Sequence, residues 1–231
     1  MGQNGYMKNT EPKFEVFVIT NGRSTLDYCL KSLSKQTVDA KITVLRDKKW
    51  VDALNECLDL CKSEFYARID DDMIFHNMLF AYYNKIIESM SKKIGAYSCK
   101  LWEDWTNRPG GFIKLYRTEV ARKLGFRVNK LGKVDKPFFK DLSRTKYKHV
   151  KDSSLVGLHG CGSWEEQLRY REIWLKNNAK TYYDEPEELW NAQKAYGKTP
   201  EEQYRLLKNL MVKNRKAKTK FYYFCKKGIL K

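Results

Sequence analysis

The amino-acid sequence predicts an α/β fold in which a mostly parallel sheet is flanked by helices. The opening part of the chain alternates strand-like and helix-like segments, the order that builds a parallel sheet. The chain has 231 residues, of which 42% are hydrophobic, enough for one α/β domain with a core of its own. Polar side chains follow the strand-like segments, and sheets of this class bind ligands beyond those strand ends.

The opening elements follow the order strand, helix, strand, helix, strand. Strands are predicted over residues 14–20, 41–45 and 64–69, which are rich in β-branched and aromatic side chains. Helices are predicted between them, over 26–33 and 50–61, from apolar residues at helical spacing. The third strand runs directly into three consecutive aspartates, so these carboxylates are expected at the carboxyl edge of the sheet.

Later segments continue the alternation. The pattern predicts a helix over 78–90, a strand over 95–100, and a short helix over 118–124 that Gly125 ends. An apolar segment over 112–116 follows a glycine pair. Toward the carboxyl end, Thr199-Pro200-Glu201-Glu202 is typical of a helix start, so a helical extension is expected there.

Positive charge is concentrated in the second half of the chain. The net charge is +17, of which residues 1–115 contribute +2 and residues 116–231 contribute +15. Both an internal block, 116–160, and the tail, 205–231, are basic. This split predicts that one half of the molecule meets a polyanion or an anionic surface.

Other global features indicate a cytoplasmic protein, with peripheral association at a membrane or on DNA left open. No apolar run approaches the roughly 20 residues of a membrane span, and residues 1–13 lack the apolar stretch of a signal peptide. The six cysteines form no CxxC pair, so reduced thiols are expected rather than a structural zinc site.

The acidic cluster Asp70-Asp71-Asp72 is the strongest chemical signal. Two carboxylates separated by one residue after a strand can point the same way, because side chains alternate with period two. Asp70 and Asp72 meet this requirement, and hard divalent cations prefer carboxylate oxygens. Such a cation neutralises the charge of a departing diphosphate. A solvated acidic turn is the competing interpretation, since short acidic motifs occur often by chance.

The order of motifs around this cluster resembles family 2-like glycosyltransferases of the GT-A fold. The first strand ends in Thr20-Asn21-Gly22-Arg23, the first helix is followed by Gln36-Thr37, and the third strand leads into the aspartates. Gly110-Gly111 and Leu115-Tyr116-Arg117-Thr118-Glu119 then look like the acceptor-side segment of that family. The resemblance covers about residues 14–177. It implies a catalytic domain over 1–177, with a donor half over about 14–100 and an acceptor half over about 101–177, followed by the helical basic extension 178–231.

The resemblance also implies roles for individual residues. It implies a nucleotide-sugar donor and Mn²⁺ or Mg²⁺ as cofactor, with Asp72 and His159 at the metal. Residues expected to contact the donor nucleotide are Thr20, Asn21, Arg23, Asp47, Asp70 and Asp71. Residues expected to contact the acceptor are Gly110, Gly111, Arg127, Lys130 and Lys133.

Transfer with inversion needs a carboxylate that deprotonates the acceptor hydroxyl. In the family this base comes from an acidic pair at a helix start, about two dozen residues before the strand-end histidine. Asp135 stands at that spacing before His159 and is the first candidate. Because Val134 replaces the usual acidic neighbour, Asp141 is kept as the second candidate, and the pair Glu103 and Asp104 as a third.

Alternatives remain for the acceptor and for the activity. A basic acceptor side suits DNA with a hydroxylated base, as in phage DNA modification, whereas most relatives act on polysaccharide or membrane glycolipid. The basic, aromatic tail fits nucleic acid and an anionic membrane equally well. A nucleotidyltransferase is disfavoured because Asn21-Gly22-Arg23 is too short to cradle a triphosphate. A non-catalytic nucleic-acid-binding protein is the remaining alternative.

Overall fold

A computed structural model describes residues 13–103, 108–129 and 133–160, without the side chains of Glu103 and Arg108. The elements of the first half are β1 (Phe14–Thr20), α1 (Leu26–Leu33), β2 (Lys41–Arg46), α2 (Trp50–Leu60), β3 (Phe65–Asp70), β4 (Met73–Phe75) and α3 (Leu79–Ser89). Those of the second half are β5 (Ile94–Glu103), β6 (Arg108–Arg117), α4 (Thr118–Leu124), α5 (Asp135–Leu142) and β7 (Lys148–His159). Lys130, the predicted extension 178–231 and the end of the proposed acceptor half lie outside the described residues.

The seven strands form one mixed sheet in the order β2-β1-β3-β6-β5-β7-β4. β1 pairs in parallel with both β2 and β3, and β5 pairs in parallel with β7. β6 and β4 run against the other five strands. The mostly parallel α/β sheet predicted from the sequence is therefore confirmed.

Alternating residues of the central strands divide the core between the two faces of the sheet, as the two-residue period of a strand requires. Val16 and Val18 pack in one core with α1 and α3, while Phe17 and Ile19 pack in the other with α2, α4 and α5. Along β3, Ala67 and other odd-numbered residues join the first core, and Tyr66 joins the second. Even-numbered side chains of β3 thus face the layer that contains α5.

The pairing of β4 with β7 brings the last described strand next to the segment that follows the acidic cluster. Met73 of β4 pairs with His159 of β7, and Phe75 pairs with Gly157. Because β4 begins directly after the third aspartate, this antiparallel pairing places His159 beside the acidic cluster. No element predicted from the sequence corresponds to β4.

The Gln36-Thr37 pair fixes the segment after α1 against the segment after β4. The Gln36 side chain donates to the carbonyl of His76 at 2.9 Å and accepts from the Phe80 amide at 3.0 Å. The Thr37 amide donates to the carbonyl of Asn77. This pair therefore has a structural role on the α1 and α3 side of the sheet.

Candidate active site

A pocket of about 150 Å³ lies at the carboxyl ends of β1, β3 and β7. Its lining residues come from these strand ends, the following turns and the start of α2. They are Ile19, Thr20, Asn21, Arg23, Trp50, Asp70, Asp71, Asp72 and His159. Most of the donor and metal residues predicted from the sequence therefore meet in one place.

The turn after β1 is held to the acidic cluster by Asp71. This carboxylate is only 3% exposed and accepts a 2.5 Å hydrogen bond from the Thr20 hydroxyl. Thr20 in turn accepts a hydrogen bond from the Gly22 amide at 2.9 Å. Burial, together with the charges of Asp72 and Asp70, raises the pKa of Asp71 although Thr20 and Arg23 act in the opposite direction. Asp71 thus positions the loop that carries Asn21 and Arg23.

Asp72 has basic neighbours on both carboxylate oxygens. Arg23 Nη1 lies 2.6 Å from Asp72 Oδ2 and 3.6 Å from Asp71 Oδ1. His159 Nε2 lies 3.5 Å from Asp72 Oδ1. The Asp72 side chain is 14% exposed, so these interactions are only partly screened by water.

The residues at this edge fit a divalent cation. Asp70, Asp72 and His159 each offer one ligand atom, and these atoms lie within 4.8 Å of one another. Among the described residues, none donates a hydrogen bond to the buried atoms Asp70 Oδ1 and Asp72 Oδ1. Buried carboxylate oxygens without a donor are costly, and coordination to a cation would satisfy them. Two carboxylates with one imidazole suit Mn²⁺, and Mg²⁺ less well because it prefers oxygen ligands.

A buried arginine connects this cluster to Asp135. Arg68 lies two residues before Asp70 on β3, so both side chains point to the same face of the sheet. Arg68 Nη2 lies 3.7 Å from Asp70 Oδ2, and Arg68 Nη1 lies 3.4 Å from Asp135 Oδ1. Lys114 Nζ donates to the other Asp135 oxygen at 2.8 Å. The Arg68 guanidinium therefore lies between Asp70 and Asp135, the first residue of α5, and contacts both.

These cations determine the protonation state of Asp135. Burial alone would raise the pKa of the Asp135 carboxyl, but Arg68 and Lys114 outweigh it, so the pKa lies below its usual value. Burial and Arg68 lower the pKa of Lys114, and Asp135 partly compensates. Asp135 is 39% exposed, which leaves it accessible to a bound molecule. Its carboxylate is therefore ionised at neutral pH.

Asp141 lies further along α5 in a different environment. It pairs with Arg127 and, at 3.7 Å, with Arg144. Asp135, Asp141 and Arg127 are all absent from the residues that line the pocket at the carboxyl ends of the strands, so the two carboxylates differ in their contacts. The structure therefore connects Asp135 to the acidic cluster by direct contacts, whereas the contacts of Asp141 lead to surface arginines.

The other predicted residues lie outside the pocket lining. Asp47 follows β2 in a left-handed conformation with a φ of 55°, and its amide donates to the Thr20 carbonyl at 3.3 Å. Gly110 and Gly111 are part of β6. The Lys133 amide donates to the Asn129 side chain at 2.9 Å. Roles of these residues in binding stay predictions.

Three residues of this region were not predicted from the sequence. Trp50, the first residue of α2, lines the pocket, and the Arg68 guanidinium lies 4.8 Å from the centre of its ring. Arg68 and Lys114 are almost fully buried although they are charged. The signal for Arg68 was its position two residues before Asp70 in a strand otherwise made of apolar residues.

No protein-family model matches the sequence, and no curated protein is significantly similar to it. Solved structures do match. A mannosyltransferase from Pyrobaculum calidifontis, solved with GDP-Man and Mn²⁺, superposes with a TM-score of 0.53 and 12% identity over 93% of this chain and 79% of its own. TarS from S. aureus, solved with UDP-GlcNAc, superposes with a TM-score of 0.48 and 14% identity. This superposition covers 87% of this chain and 66% of TarS. Glucosyl-3-phosphoglycerate synthase from Mycobacterium tuberculosis superposes with a TM-score of 0.45 and 12% identity. This superposition covers 71% of this chain and 78% of the synthase.

The similarity to the mannosyltransferase bears on the fold alone, because the identity is only 12%. The superposition on the mannosyltransferase covers nearly the whole chain. The mostly parallel sheet and the position of the acidic cluster directly after β3 agree with the prediction from the motif order. The chain therefore has the GT-A fold that it shares with glycosyltransferases.

Proposed function

We propose that this protein transfers a sugar from a nucleotide-sugar donor to an acceptor hydroxyl with the help of a divalent metal. One observation carries the proposal. Two buried carboxylate oxygens without hydrogen-bond donors and an imidazole converge at the carboxyl edge of a GT-A sheet. A metal at Asp70, Asp72 and His159 would neutralise the diphosphate of the donor as it departs.

The side chains around this position have complementary tasks. Thr20, Asn21 and Trp50 form the wall on which the nucleoside would lie, and Trp50 offers a ring face for stacking. Arg23 supplies a positive charge beside Asp72, where the diphosphate would approach the metal. Asp47, whose amide donates to the Thr20 carbonyl, would contact the ribose or base.

Asp135 is the proposed general base. A base must be ionised and accessible to the acceptor hydroxyl, and Asp135 meets both conditions. Its hydrogen bond to Lys114 and its contact with Arg68 fix the carboxylate close to Asp70. A fixed carboxylate lowers the entropic cost of aligning the acceptor with the donor sugar. Direct displacement of the diphosphate by this hydroxyl would invert the anomeric centre.

The proposed acceptor is a hydroxylated base in DNA. The support for this acceptor is the net charge of +15 on residues 116–231. An enzyme that binds a neutral polysaccharide would not need such a charge, whereas one that binds DNA would. A membrane-associated glycolipid is the alternative, and its enzyme would also be basic. No helix within the described parts of the chain is long and apolar enough to cross a membrane.

A donor and acceptor panel tests the proposal. The protein is incubated with UDP-, GDP- and dTDP-sugars and Mn²⁺ or Mg²⁺, with and without hydroxymethylated duplex DNA, and released nucleoside diphosphate is measured. We expect release with one donor, its abolition by a chelator, and sugar incorporated into the DNA. The matched control is Asp72→Asn, which removes one metal ligand charge at nearly constant shape.

Each other outcome contradicts a defined part of the proposal. Release that persists in Asp72→Asn or in chelator would contradict the metal site. Transfer of sugar to a lipid extract but not to DNA would show that the acceptor is a lipid. Pyrophosphate release from a nucleoside triphosphate and a sugar phosphate would identify a nucleotidyltransferase instead. No turnover with any donor, in a protein that still binds DNA, would indicate a binding protein.

A further inference from the structure

A second cleft, of about 700 Å³, lies at the opposite end of the sheet from the pocket. Its walls are the segments just before β3, β5 and β7, together with the end of β6. β3 has six residues at about 3.3 Å each, so the two sites are roughly 20 Å apart across the sheet. We call this region the basal cleft. It is separate from the donor and acceptor residues discussed above.

The basal cleft is strongly basic. Six Lys and Arg side chains line it against two glutamates. The two arginines are occupied by the protein itself: Arg117 pairs with Glu64, and Arg122 donates to the carbonyls of Leu58 and Cys61. These arginines build the wall and do not present free charge to a ligand.

The four lysines of the basal cleft, unlike the two arginines, are available to a ligand. They come from three separate segments and are exposed: Lys62, Lys92, Lys93 and Lys146. Within residues 13–103, 108–129 and 133–160, none of their ammonium groups forms an ion pair. Lys146 lies over the ring of Tyr147, 5.5 Å from its centre, so an aromatic face is part of the same surface. Like charges gathered in a concave site repel one another, and an anion would relieve this repulsion.

We propose that the basal cleft binds the phosphodiester backbone of nucleic acid. A phosphate chain presents anions at regular intervals and can contact lysines on several loops at once. Concavity favours a protruding strand over a flat bilayer surface. Membrane-surface sites combine cations with exposed aliphatic or aromatic side chains. Among the described residues that line the cleft, Tyr147 is the one large apolar side chain, and it is half-buried.

This inference does not depend on sugar transfer, so the two can fail separately. Binding at the basal cleft would hold a nucleic acid across the sheet from the pocket, whatever the chemistry there. If the acceptor is DNA, the cleft is a second binding surface that retains the polymer. If the acceptor is another molecule, the cleft still predicts nucleic-acid binding by the full chain.

The test compares two full-length variants with the same change in charge. The first carries Lys92→Glu, Lys93→Glu and Lys146→Glu in the cleft. The control carries Lys31→Glu, Lys85→Glu and Lys140→Glu, three exposed lysines that do not line it. Fluorescence anisotropy of a labelled duplex and of a labelled single strand is measured over a series of salt concentrations. Thermal unfolding confirms that both variants fold.

We expect the cleft variant to bind at least one of the two probes about 10-fold or more weakly than the control does. Its log–log salt slope should be shallower by roughly 0.9 for each phosphate that is no longer neutralised on a duplex, and by about 0.7 on a single strand. The basic tail contributes equally to both variants and cancels in this comparison. Equal weakening in the two variants would overturn the proposal. So would unchanged nucleic-acid binding together with abolished pelleting on phosphatidylserine vesicles, which would assign the cleft to a membrane.

Discussion

Arg68 of β3 and Lys114 of β6 are direct cross-strand neighbours, so two buried cations stand side by side in the sheet. Like charges in this arrangement are destabilising. Asp135 contacts both of them and compensates their charge. The residue proposed as the general base is therefore also a structural counter-ion, and experiments on it must separate these two roles.

Asp135→Asn should reduce both stability and transfer. Lys114 would lose its counter-ion and Arg68 would keep only Asp70 at 3.7 Å, which should lower the free energy of unfolding by roughly 2 kcal/mol or more. Transfer per folded molecule should fall at least about 100-fold, the scale typical of a lost general base. Stability is measured by urea denaturation and transfer by sugar incorporation. Titration of the nucleoside diphosphate by calorimetry should give an unchanged affinity, because the base contacts the acceptor.

Asp141→Asn is the matched control on the same helix. It removes the pairs with Arg127 and Arg144, whose side chains are 61% and 67% exposed, so little stability should be lost. Its transfer rate should be close to that of the wild type. An inactive Asp141→Asn beside an active Asp135→Asn would show that the base was assigned to the wrong carboxylate.

Asp72→Asn should abolish metal-dependent turnover while the protein stays folded. The substitution removes a ligand charge that stabilises the departing diphosphate, so we expect at least a ~100-fold loss in rate. Mn²⁺ binding, followed by electron paramagnetic resonance, should weaken in parallel. Asp52→Asn, on exposed α2 surface, is the control for a removed charge. Wild-type turnover of Asp72→Asn with Mn²⁺ would contradict the metal assignment.

Arg23→Gln should affect metal and nucleotide in opposite directions. Arg23 Nη1 is 2.6 Å from Asp72 Oδ2 and competes with a cation for that oxygen. Without this charge, Mn²⁺ alone should bind about 3- to 10-fold more tightly, whereas the nucleoside diphosphate should bind more weakly because it loses a charged partner. Separate titrations of Mn²⁺ and of the diphosphate check this. Weaker binding of Mn²⁺ would show that Arg23 instead orients Asp72 for the metal.

The sequence predicted best those elements whose signal is local. β1, α1, β2, α2 and β3 agree with their predicted ranges within a residue or two, because each has the periodicity of its own structure. The acidic cluster was located because it follows β3 directly. These are properties of short segments, and no tertiary contact is needed to see them.

The missed features depend on distant partners. β4 has three residues, too few to show a period, and exists through its pairing with β7. β7 is one strand of twelve residues, although the charged Asp152 lies within it. Asp152 is accommodated by hydrogen bonds from Tyr82 and Tyr97, which belong to much earlier elements of the chain, α3 and β5. Arg68 and Lys114 were missed for the same reason: the counter-ion that they share, Asp135, comes from α5.

Stability should fall on acidification partly because of His149. Burial, with Lys151 and Lys114 nearby, lowers the pKa of His149 to about 4, although Asp135 opposes the shift. The unfolded value is about 6.5, so between these pH values the unfolded chain binds more protons and stability decreases as pH falls. His149→Gln removes this titration and keeps a polar group facing Ser98, which His149 contacts at 2.7 Å.

Urea denaturation of wild type and His149→Gln at pH 7 and pH 4.5 measures the effect. The wild type should lose about 1 to 2 kcal/mol more than the variant over this interval, a value reduced for the partial exposure of the ring. His76→Gln serves as a control for the loss of an imidazole elsewhere. Identical losses in wild type and His149→Gln would show that the folded protein protonates His149 without penalty.

Gly157→Ala should loosen the connection between β4 and β7. A Cβ at this position would lie 2.5 Å from the carbonyl oxygen of Ile74 and 2.9 Å from Phe75 Cδ1. The carbonyl belongs to the backbone, so β4 must move, which should cost about 1 to 3 kcal/mol. Because the β4–β7 pairing places His159 beside Asp72, Mn²⁺ affinity should decrease as well. Ser153→Ala, at an exposed position on the same strand, should change neither quantity. A Gly157→Ala variant that is destabilised but binds Mn²⁺ as tightly as the wild type would show that the strand pairing does not position the metal ligands.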